Sequence, residues 1–167
     1  GASSAVGIDR SARAIRAAQQ RFPEAEFRQQ SWETLPRGPY DLVTLLSSLH
    51  YSDDQEALIH RLMDEIDDDG LLVLELGIAP PAGEDWVKFE RSIDQRFFPT
   101  RRTLARILEG YAWKVIGHSV EQSGDPVERY VVHVRRLKPY VYLLTGGSGS
   151  GKSTLARRLF KRAHVPV

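Results

Sequence analysis

Short apolar segments alternate along the chain with amphipathic ones, and this alternation predicts strands separated by helices. Continuous apolar character at residues 5–9 (AVGID), 40–46 (YDLVTLL) and 71–76 (LLVLEL) predicts buried strands, and residues 25–28 predict a brief one. The near-continuous apolar run at residues 40–46 is typical of a strand covered on both faces.

Two helices are predicted between these strands. Ser11 is the expected N-cap of the first helix, and Pro23 ends it. Ser52 or Asp53 is the expected N-cap of the second, and a turn at residues 67–70 leads into the next strand. The apolar faces of the two helices consist of Ala14, Ile15 and Ala18 in the first, and Leu58, Ile59, Leu62, Met63 and Ile66 in the second.

The remainder of the first 138 residues continues the mixed pattern. A loop at residues 77–84 precedes helices predicted at 85–96 and 100–109. Residues 113–120 and 129–134 alternate in the β manner around a Ser-Gly-Asp-Pro turn, and are expected to form an antiparallel hairpin at one sheet edge. The order of elements predicts an α/β fold with a doubly wound, mostly parallel sheet.

A glycine-rich segment near the end of the chain is the most specific motif. Within YVYLLTGGSGSGKSTLARR (residues 140–158), an apolar strand pattern at 141–144 is followed by G-x-x-x-x-G-K-S and a helical pattern. Loops of this kind bind phosphates through backbone N–H groups and a lysine, and bind Mg²⁺ through a hydroxyl. The residues predicted to bind ATP with Mg²⁺ are Gly146, Gly147, Ser148, Gly149, Ser150, Gly151, Lys152, Ser153 and Thr154, with Ser153 as the metal ligand.

The alternative interpretation of this segment is a Gly/Ser-rich linker. Phosphoryl transfer also requires an acidic Mg²⁺ ligand and a group that positions the nucleophile, yet residues 155–167 contain no Asp or Glu. The motif is therefore expected to bind a nucleotide without completing an enzyme by itself.

Composition restricts the function classes. A hydrophobic share of 41% over 167 residues is ordinary for a globular protein of one domain or slightly more. A net charge of +1 argues against nucleic acid as a partner, and the lack of cysteine excludes disulfides and thiolate chemistry. No apolar run approaches the roughly 18 residues of a membrane span, and the first residues do not read as a signal peptide, so a cytoplasmic location is expected.

Three segments together resemble a known family. AVGIDRS (residues 5–11), RQQSWETLP (28–36) and YDLVTLLSSLHY (40–51) stand in the order found in class I S-adenosylmethionine-dependent methyltransferases. The resemblance implies a Rossmann-like fold and S-adenosylmethionine as cofactor, with Asp9 at the position that binds both ribose hydroxyls. A carboxylate can accept two such donors. The alternative role for Asp9 is to cap the following helix.

The same resemblance implies the other site residues. Ser31 stands where the family usually has an acidic adenine contact, and Trp32 either stacks on the adenine or packs beneath a loop. His50 is the candidate general base, because an imidazole titrates near neutrality, and the alternative is a structural histidine. The implied cofactor-binding residues are Asp9, Arg10, Ser31, Trp32, Ser47 and Leu49.

The family's first strand and its Gly-x-Gly-x-Gly loop have no counterpart before residue 5. That strand is central, so without it two half-sheets would expose unpaired edges. One interpretation is a piece of a longer polypeptide, in which a methyltransferase-like domain (1–138) precedes a kinase-like P-loop domain (139–167). A second is a permuted or domain-swapped fold with residues 141–144 in the central position. The third is a generic doubly wound pattern.

The first interpretation is the one we adopt as the prediction, with residues 137–139 as a linker. GGSGSGKST then resembles the opening of uridine-kinase-like P-loop phosphotransferases. The predicted function is methyl transfer to a small polar acceptor, such as a sugar or nucleoside, in a protein that also carries a nucleotide site. The competing function is an ATP- or GTP-binding phosphotransferase module in which the Rossmann-like part is a scaffold. The segments GIAPPAGEDW (residues 77–86) and GDPVERYVVHV (124–134) are similar to methyltransferase domains that cap bacterial surface polysaccharides, which favours a sugar hydroxyl or phosphate as acceptor.

Overall fold

The structure is a computed structural model that describes residues 3–81, 85–90, 94–119, 127–137 and 144–160. The chain divides into two compact units, Gly1–Leu137 and Lys138–Val167. The elements are, in order, β1 (Val6–Asp9), α1 (Ala12–Arg21), β2 (Glu26–Gln29), β3 (Tyr40–Leu46), a 3-10 turn (Leu49–Tyr51), α2 (Gln55–Asp64), β4 (Ile66–Ile78), β5 (Trp86–Glu90), β6 (Gln95–Pro99), α3 (Arg101–Ile107), β7 (Tyr111–His118), β8 (Glu128–Arg136) and α4 (Lys152–Phe160).

The described strands of the first unit form three separate sheets. β1 pairs in parallel with β2, β5 pairs antiparallel with β6, and the largest sheet has the order β3-β4-β8-β7. In that sheet β3 and β4 are parallel, whereas β8 runs antiparallel to both of its neighbours. The mixed α/β class and the antiparallel hairpin at an edge are confirmed. The single, mostly parallel sheet is not what the described residues form, because no ladder joins β1 to β3.

The burial of β3 differs from the prediction of a strand covered on both faces. Val43 and Leu45 pack against the main core, whereas Leu42 and Leu46 are 55% and 54% exposed. This alternation is typical of a strand with one buried face. The physical reason is that β3 lies at the edge of its sheet and has a ladder partner only on the β4 side among the described residues.

The main core lies between one face of the large sheet and the helices α2 and α3. The apolar stripe predicted on α2 is confirmed for Leu58, Ile59, Leu62 and Met63, which are buried. Ile66, its fifth predicted member, is buried too but is the first residue of β4, because the helix ends at Asp64. Full burial of one such side chain stabilises the fold by roughly 1.5–3 kcal/mol. The core residues are Leu49, Leu58, Ile59, Leu62, Met63, Ile66, Leu72, Leu74, Leu76, Ile78, Leu104, Ile107, Leu108, Val132 and Val134.

The cap of α2 is Asp54, which corrects the prediction of Ser52 or Asp53. The Asp54 carboxylate accepts the N–H of Ala57 at 2.9 Å. Ser52 is instead buried, and its N–H closes the preceding 3-10 turn on the carbonyl of Leu49 at 3.0 Å. Because of this turn, α2 begins one residue later than a cap at Asp53 would place it.

The turn predicted at residues 67–70 lies within β4. Tyr40 pairs with Ile66 and Leu42 with Leu71, so the register shifts between these pairs and the intervening acidic residues form an irregularity in the ladder. The strand therefore begins five residues earlier than the apolar run that predicted it.

The helix predicted at residues 85–96 is not formed. Within this segment, residues 86–90 form β5 and residues 95–96 begin β6, and Val87 pairs with Phe98 across the hairpin. The reason is that Trp86, Val87 and Phe89 are β-branched or aromatic, and such residues favour a pleated surface with cross-strand neighbours.

Three predictions fall wholly or largely outside the described residues: the turn at 123–126, the linker at 137–139 and the strand at 141–144. These remain predictions. None of the described helices is both long and apolar enough to cross a membrane.

Candidate functional site

The first part of the candidate site lies where β1 and β2 end. Their parallel pairing puts both carboxyl ends at one edge. Asp9 is exposed there, and its Oδ1 accepts the N–H of Ser11 at 2.7 Å. Ser11 is the predicted N-cap, and its hydroxyl accepts the N–H of Ala14 at 3.2 Å. Among the described residues, Oδ2 of Asp9 has no hydrogen-bond partner, so the carboxylate shapes the turn into α1 and still offers an acceptor.

Arg10 and Trp32 come together beside Asp9. The guanidinium carbon of Arg10 lies 5.8 Å from the centroid of the Trp32 ring, within the range of a cation–π contact. The carbonyl of Arg10 accepts the side-chain amide of Gln29 at 3.3 Å, which ties the ends of β1 and β2 together. Trp32 is half-buried and packs against the main core. The indole is therefore anchored by the core and contacted by a cation.

Ser31 forms the turn that leads into Trp32. Its hydroxyl accepts the N–H of Glu33 at 3.4 Å, and its carbonyl accepts the N–H of Thr34 at 3.3 Å. Ser31 stands where the family usually has an acidic residue, and its hydroxyl is thus engaged in a local turn.

The second part of the site lies where β3 ends. Ser47 has a φ of 52°, in the left-handed region that is uncommon for residues other than glycine. Its N–H donates to the carbonyl of Glu75 at 3.1 Å, and its hydroxyl donates to Oε2 of the same residue at 2.5 Å. This backbone conformation costs roughly 1–2 kcal/mol, and the two bonds to Glu75 hold it in place.

Glu75 is the centre of a buried polar cluster that also includes Ser47, Ser119 and Arg129. Arg129 binds the carboxylate through two nitrogens, with Nε at 2.7 Å from Oε1 and Nη2 at 2.9 Å from Oε2. The hydroxyl of Ser119 donates to Oε1 at 2.6 Å, and Nη2 of Arg129 also donates to the hydroxyl of Ser47 at 3.0 Å. Glu75 is 7% and Arg129 2% exposed, so this Glu75 cluster is a desolvated ion pair with its oxygens satisfied.

Burial acts to raise the pKa of Glu75, but the hydrogen bonds from Arg129, Ser119 and Ser47, with the charge of Arg129, outweigh it and lower the pKa from 4.5 to about 2. A carboxylate whose pKa is lower in the folded protein than in the unfolded chain stabilises the fold at pH values above its unfolded-state pKa, which is near 4.5. That contribution is lost as the pH falls from about 4.5 toward 2.

Sequence reasoning missed the Glu75 cluster. The available signal was a single carboxylate in the apolar run LLVLEL, since a buried charge needs a partner. Its partner Arg129 follows 54 residues later, and no local pattern connects the two.

The 3-10 turn after Ser47 carries the other predicted site residues. Leu49 is 1% exposed and belongs to the main core, so its side chain is not at the surface of the site. His50 is 3% exposed, with its ring centroid 4.2 Å from that of Tyr51 and 5.4 Å from that of Phe98. Tyr51 is the exposed member of the turn. A general base must come within hydrogen-bond reach of the acceptor, so the role of His50 stays a prediction.

The hairpin of β5 and β6 packs against this turn. The guanidinium carbon of Arg96 lies 5.4 Å from the centroid of the Tyr51 ring, and Arg96 pairs with Asp94 at 3.0 Å. The side-chain amide of Gln55 donates to the carbonyl of Phe97 at 2.7 Å, which connects the start of α2 to β6. The segment predicted as a helix thus forms one wall of the candidate site.

In the second unit, the glycine-rich loop curls around the lysine of the motif. Nζ of Lys152 donates to the carbonyls of Gly146 and Gly147, both at 2.7 Å. Gly146, Gly149 and Gly151 have φ values of 145°, 78° and 83°, which only glycine adopts readily. A shallow depression of about 400 Å³ beside the loop is lined by Leu144, Lys152, Ser153, Ala156 and Arg157. No cluster of His, Asp or Glu in the described part of the chain is suited to hold a metal ion.

A family model described as a methyltransferase domain matches residues 1–118. The comparison with curated protein sequences found no match. Among solved structures, the N-terminal domain of EvdMO1 in the presence of SAH and D-fucose is similar, with a TM-score of 0.65 and 17% identity over 80% of this chain and 66% of that one.

Two further structures show the same fold. The YcgJ protein from Bacillus subtilis has a TM-score of 0.61 and 12% identity over 81% of this chain and 83% of that one. Magnesium protoporphyrin IX methyltransferase from Synechocystis PCC 6803 with bound SAM has a TM-score of 0.57 and 21% identity over 79% of this chain and 59% of that one. The chain thus spans less than two thirds of the EvdMO1 domain and of the Synechocystis enzyme.

Proposed function

Because this chain belongs to the methyltransferase domain family, we propose that it takes part in methyl transfer from S-adenosylmethionine to a small polar acceptor. The observation that carries the proposal is the grouping of Asp9, Arg10 and Trp32 where the parallel strands β1 and β2 end. Ligands of open α/β sheets bind at such carboxyl ends.

The residues present fit the adenosine half of the cofactor. Asp9 has an acceptor oxygen that no described residue uses and is suited to ribose hydroxyls. Trp32 offers an indole anchored by the core, and such a ring stacks on a purine. When bound, the cofactor supplies a sulfonium-activated methyl group, whose carbon bonds to the acceptor as its bond to sulfur breaks. The protein's part is to orient the two reactants.

Asp9→Ala is expected to weaken binding of S-adenosylhomocysteine at least tenfold, because a hydrogen bond to a charged group contributes roughly 1.5–3 kcal/mol. Isothermal calorimetry on the full polypeptide measures this. Ser11→Ala is the matched control, since it removes the helix cap and leaves the carboxylate in place. If Asp9→Ala binds as tightly as the parent, or if both variants lose affinity equally, Asp9 acts only as part of the helix cap.

A sugar is the acceptor class that we propose. The EvdMO1 domain, whose structure was determined in the presence of SAH and D-fucose, has the same fold. Tyr51, the exposed residue of the turn after β3, offers an aromatic ring for such a polar acceptor, and His50 is the proposed base next to it. Arg96 on β6, which is paired with Asp94, contacts the Tyr51 ring.

A second candidate function concerns the glycine-rich loop alone. We propose that residues 139–167 begin a kinase-like domain after a methyltransferase-like domain (1–138), and that Gly146–Thr154 bind ATP with Mg²⁺ through Ser153. The specific support is that Lys152 and Ser153 of the motif line one depression together with Arg157. The division of the chain into compact units at residue 137 supports the boundary.

Lys152→Ala is expected to lower the affinity for a fluorescent ATP analogue at least tenfold in the presence of Mg²⁺, because the ammonium is the charge that reaches the phosphates. Lys114→Ala is the matched control, since Lys114 is an exposed lysine on β7. Equal affinities of the parent and of both variants would identify the loop as a linker.

A further inference from the structure

The Glu75 cluster lies directly behind the backbone that leads into the 3-10 turn. Ser47 directly follows β3 and stands two residues before the 3-10 turn. Both its N–H and its hydroxyl donate to Glu75, at 3.1 Å and 2.5 Å. The turn itself is closed by short-range bonds, from the N–H of Tyr51 to Ser48 at 3.1 Å and from the N–H of Ser52 to Leu49 at 3.0 Å. The direction in which the turn leaves β3 is therefore set at Ser47.

Ser47 needs an external constraint to keep this direction. Its φ of 52° is unfavourable for a residue with a Cβ atom, and such conformations persist only where the surroundings determine them. Glu75 supplies the constraint, and Arg129 in turn fixes the carboxylate through two bonds at 2.7 Å and 2.9 Å. Ser119, next to the end of β7, adds a bond at 2.6 Å. Residues at or near the ends of β3, β4 and β7 and at the start of β8 thus meet at the carboxylate of Glu75.

The hydroxyl of Ser47 makes two bonds inside this cluster. It donates its proton to Glu75 and accepts from Nη2 of Arg129 at 3.0 Å. The N–H of Ser47 is likewise engaged, with the carbonyl of Glu75 at 3.1 Å. The side chain orients the backbone and does not have to touch the ligand.

From these contacts we propose that Glu75 and Arg129 are positioning residues for the methyltransferase site, holding Ser47 in its left-handed conformation so that the segment with the predicted cofactor-binding residues Ser47 and Leu49 is preformed. The proposal deepens the proposed function and rests on it. Both residues are buried, and in this proposal they act on the site through Ser47.

Glu75→Gln tests the proposal, because it keeps the shape of the side chain and removes the charge that orders its three donors. We expect at least tenfold weaker binding of S-adenosylhomocysteine at a temperature where the variant is fully folded. Val134→Ala is the matched control, since it removes volume from the buried core on β8 and makes none of these bonds. A loss below twofold is expected for this control.

Ser47→Gly provides a rescue. Glycine adopts a positive φ without strain, so adding Ser47→Gly to Glu75→Gln is expected to recover most of the lost affinity. A merely structural role of Glu75 predicts no recovery, because the double variant has lost even more hydrogen bonds. Unchanged affinity in Glu75→Gln, equal losses in Glu75→Gln and Val134→Ala, or failure of the rescue would each overturn the proposal.

Amide hydrogen exchange gives a readout that needs no ligand. In Glu75→Gln the amides of Tyr51 and Ser52 are expected to exchange at least tenfold faster than in Val134→Ala. If the parent fails to bind S-adenosylhomocysteine, the proposed function fails, and the exchange of these two amides still decides whether Glu75 positions the turn. Equal exchange in both variants would overturn the positioning role.

Discussion

Replacing Arg129 with methionine is expected to lower the free energy of unfolding by about 3–5 kcal/mol, because it leaves the carboxylate of Glu75 buried without its counter-charge. Methionine retains much of the side-chain volume, so the effect reports charge and hydrogen bonding more than packing. Urea denaturation at neutral pH measures the change.

Two controls separate this effect from a general sensitivity to arginine loss. The double variant Glu75→Gln with Arg129→Met is expected to be more stable than Arg129→Met alone, because no unpaired charge remains. Arg106→Met breaks the exposed pair with Glu56 and is expected to change stability by less than about 1 kcal/mol. A loss at Arg129 as small as that at Arg106 would contradict the assignment of Glu75 as a desolvated ion-pair partner.

Phe98→Ala is expected to lower the free energy of unfolding by about 3–5 kcal/mol, since a fully buried phenylalanine leaves a large cavity. Phe98 joins the β5–β6 hairpin to the 3-10 turn through its contact with His50. It also lies against the backbone of β4, where a Cβ on Gly77 would come within 2.8 Å of the ring. The same variant is therefore expected to loosen the wall of the candidate site.

Phe22→Ala is the matched control for Phe98→Ala, because Phe22 follows α1 and is 46% exposed. Its replacement is expected to cost less than about 1 kcal/mol. Thermal unfolding of the two variants side by side checks the prediction. Equal losses would mean that the hairpin does not pack on the turn as described.

Elements set by local periodicity could be predicted from the sequence. The stripe on α2, the strand β1 and the cap of α1 at Ser11 follow from residues that are near one another in the chain. The segment at 85–96, predicted as a helix and found as a hairpin, shows that local periodicity is not sufficient everywhere. Its aromatic and branched residues suit a helix face or a strand, and pairing of Val87 with Phe98 decides between them.

The residues of the candidate site also separate into those that the sequence could identify and those that it could not. Asp9 and Trp32 could be named because the segments that contain them resemble those of a known family, and parallel pairing of β1 with β2 brings them together with Arg10. The Glu75 cluster could not be named, because its partner Arg129 is brought in by an antiparallel register that no short segment encodes. The burial of Leu49 and His50 likewise depends on packing that forms only in the folded chain.

Among the described residues β3 has a ladder partner on one side only, and this bears on how the polypeptide behaves in concentrated solution. A bare strand edge beside exposed leucines is a template for any extended apolar chain, and natural sheets usually protect such edges with charges, prolines or covering elements. Leu42 and Leu46 lie symmetrically about Thr44, so a second β3 running antiparallel about that residue would place leucine opposite leucine. Fibrillation and gelation are the processes that such self-complementary edges nucleate, and this strand is the part of the molecule that solubility engineering should address first.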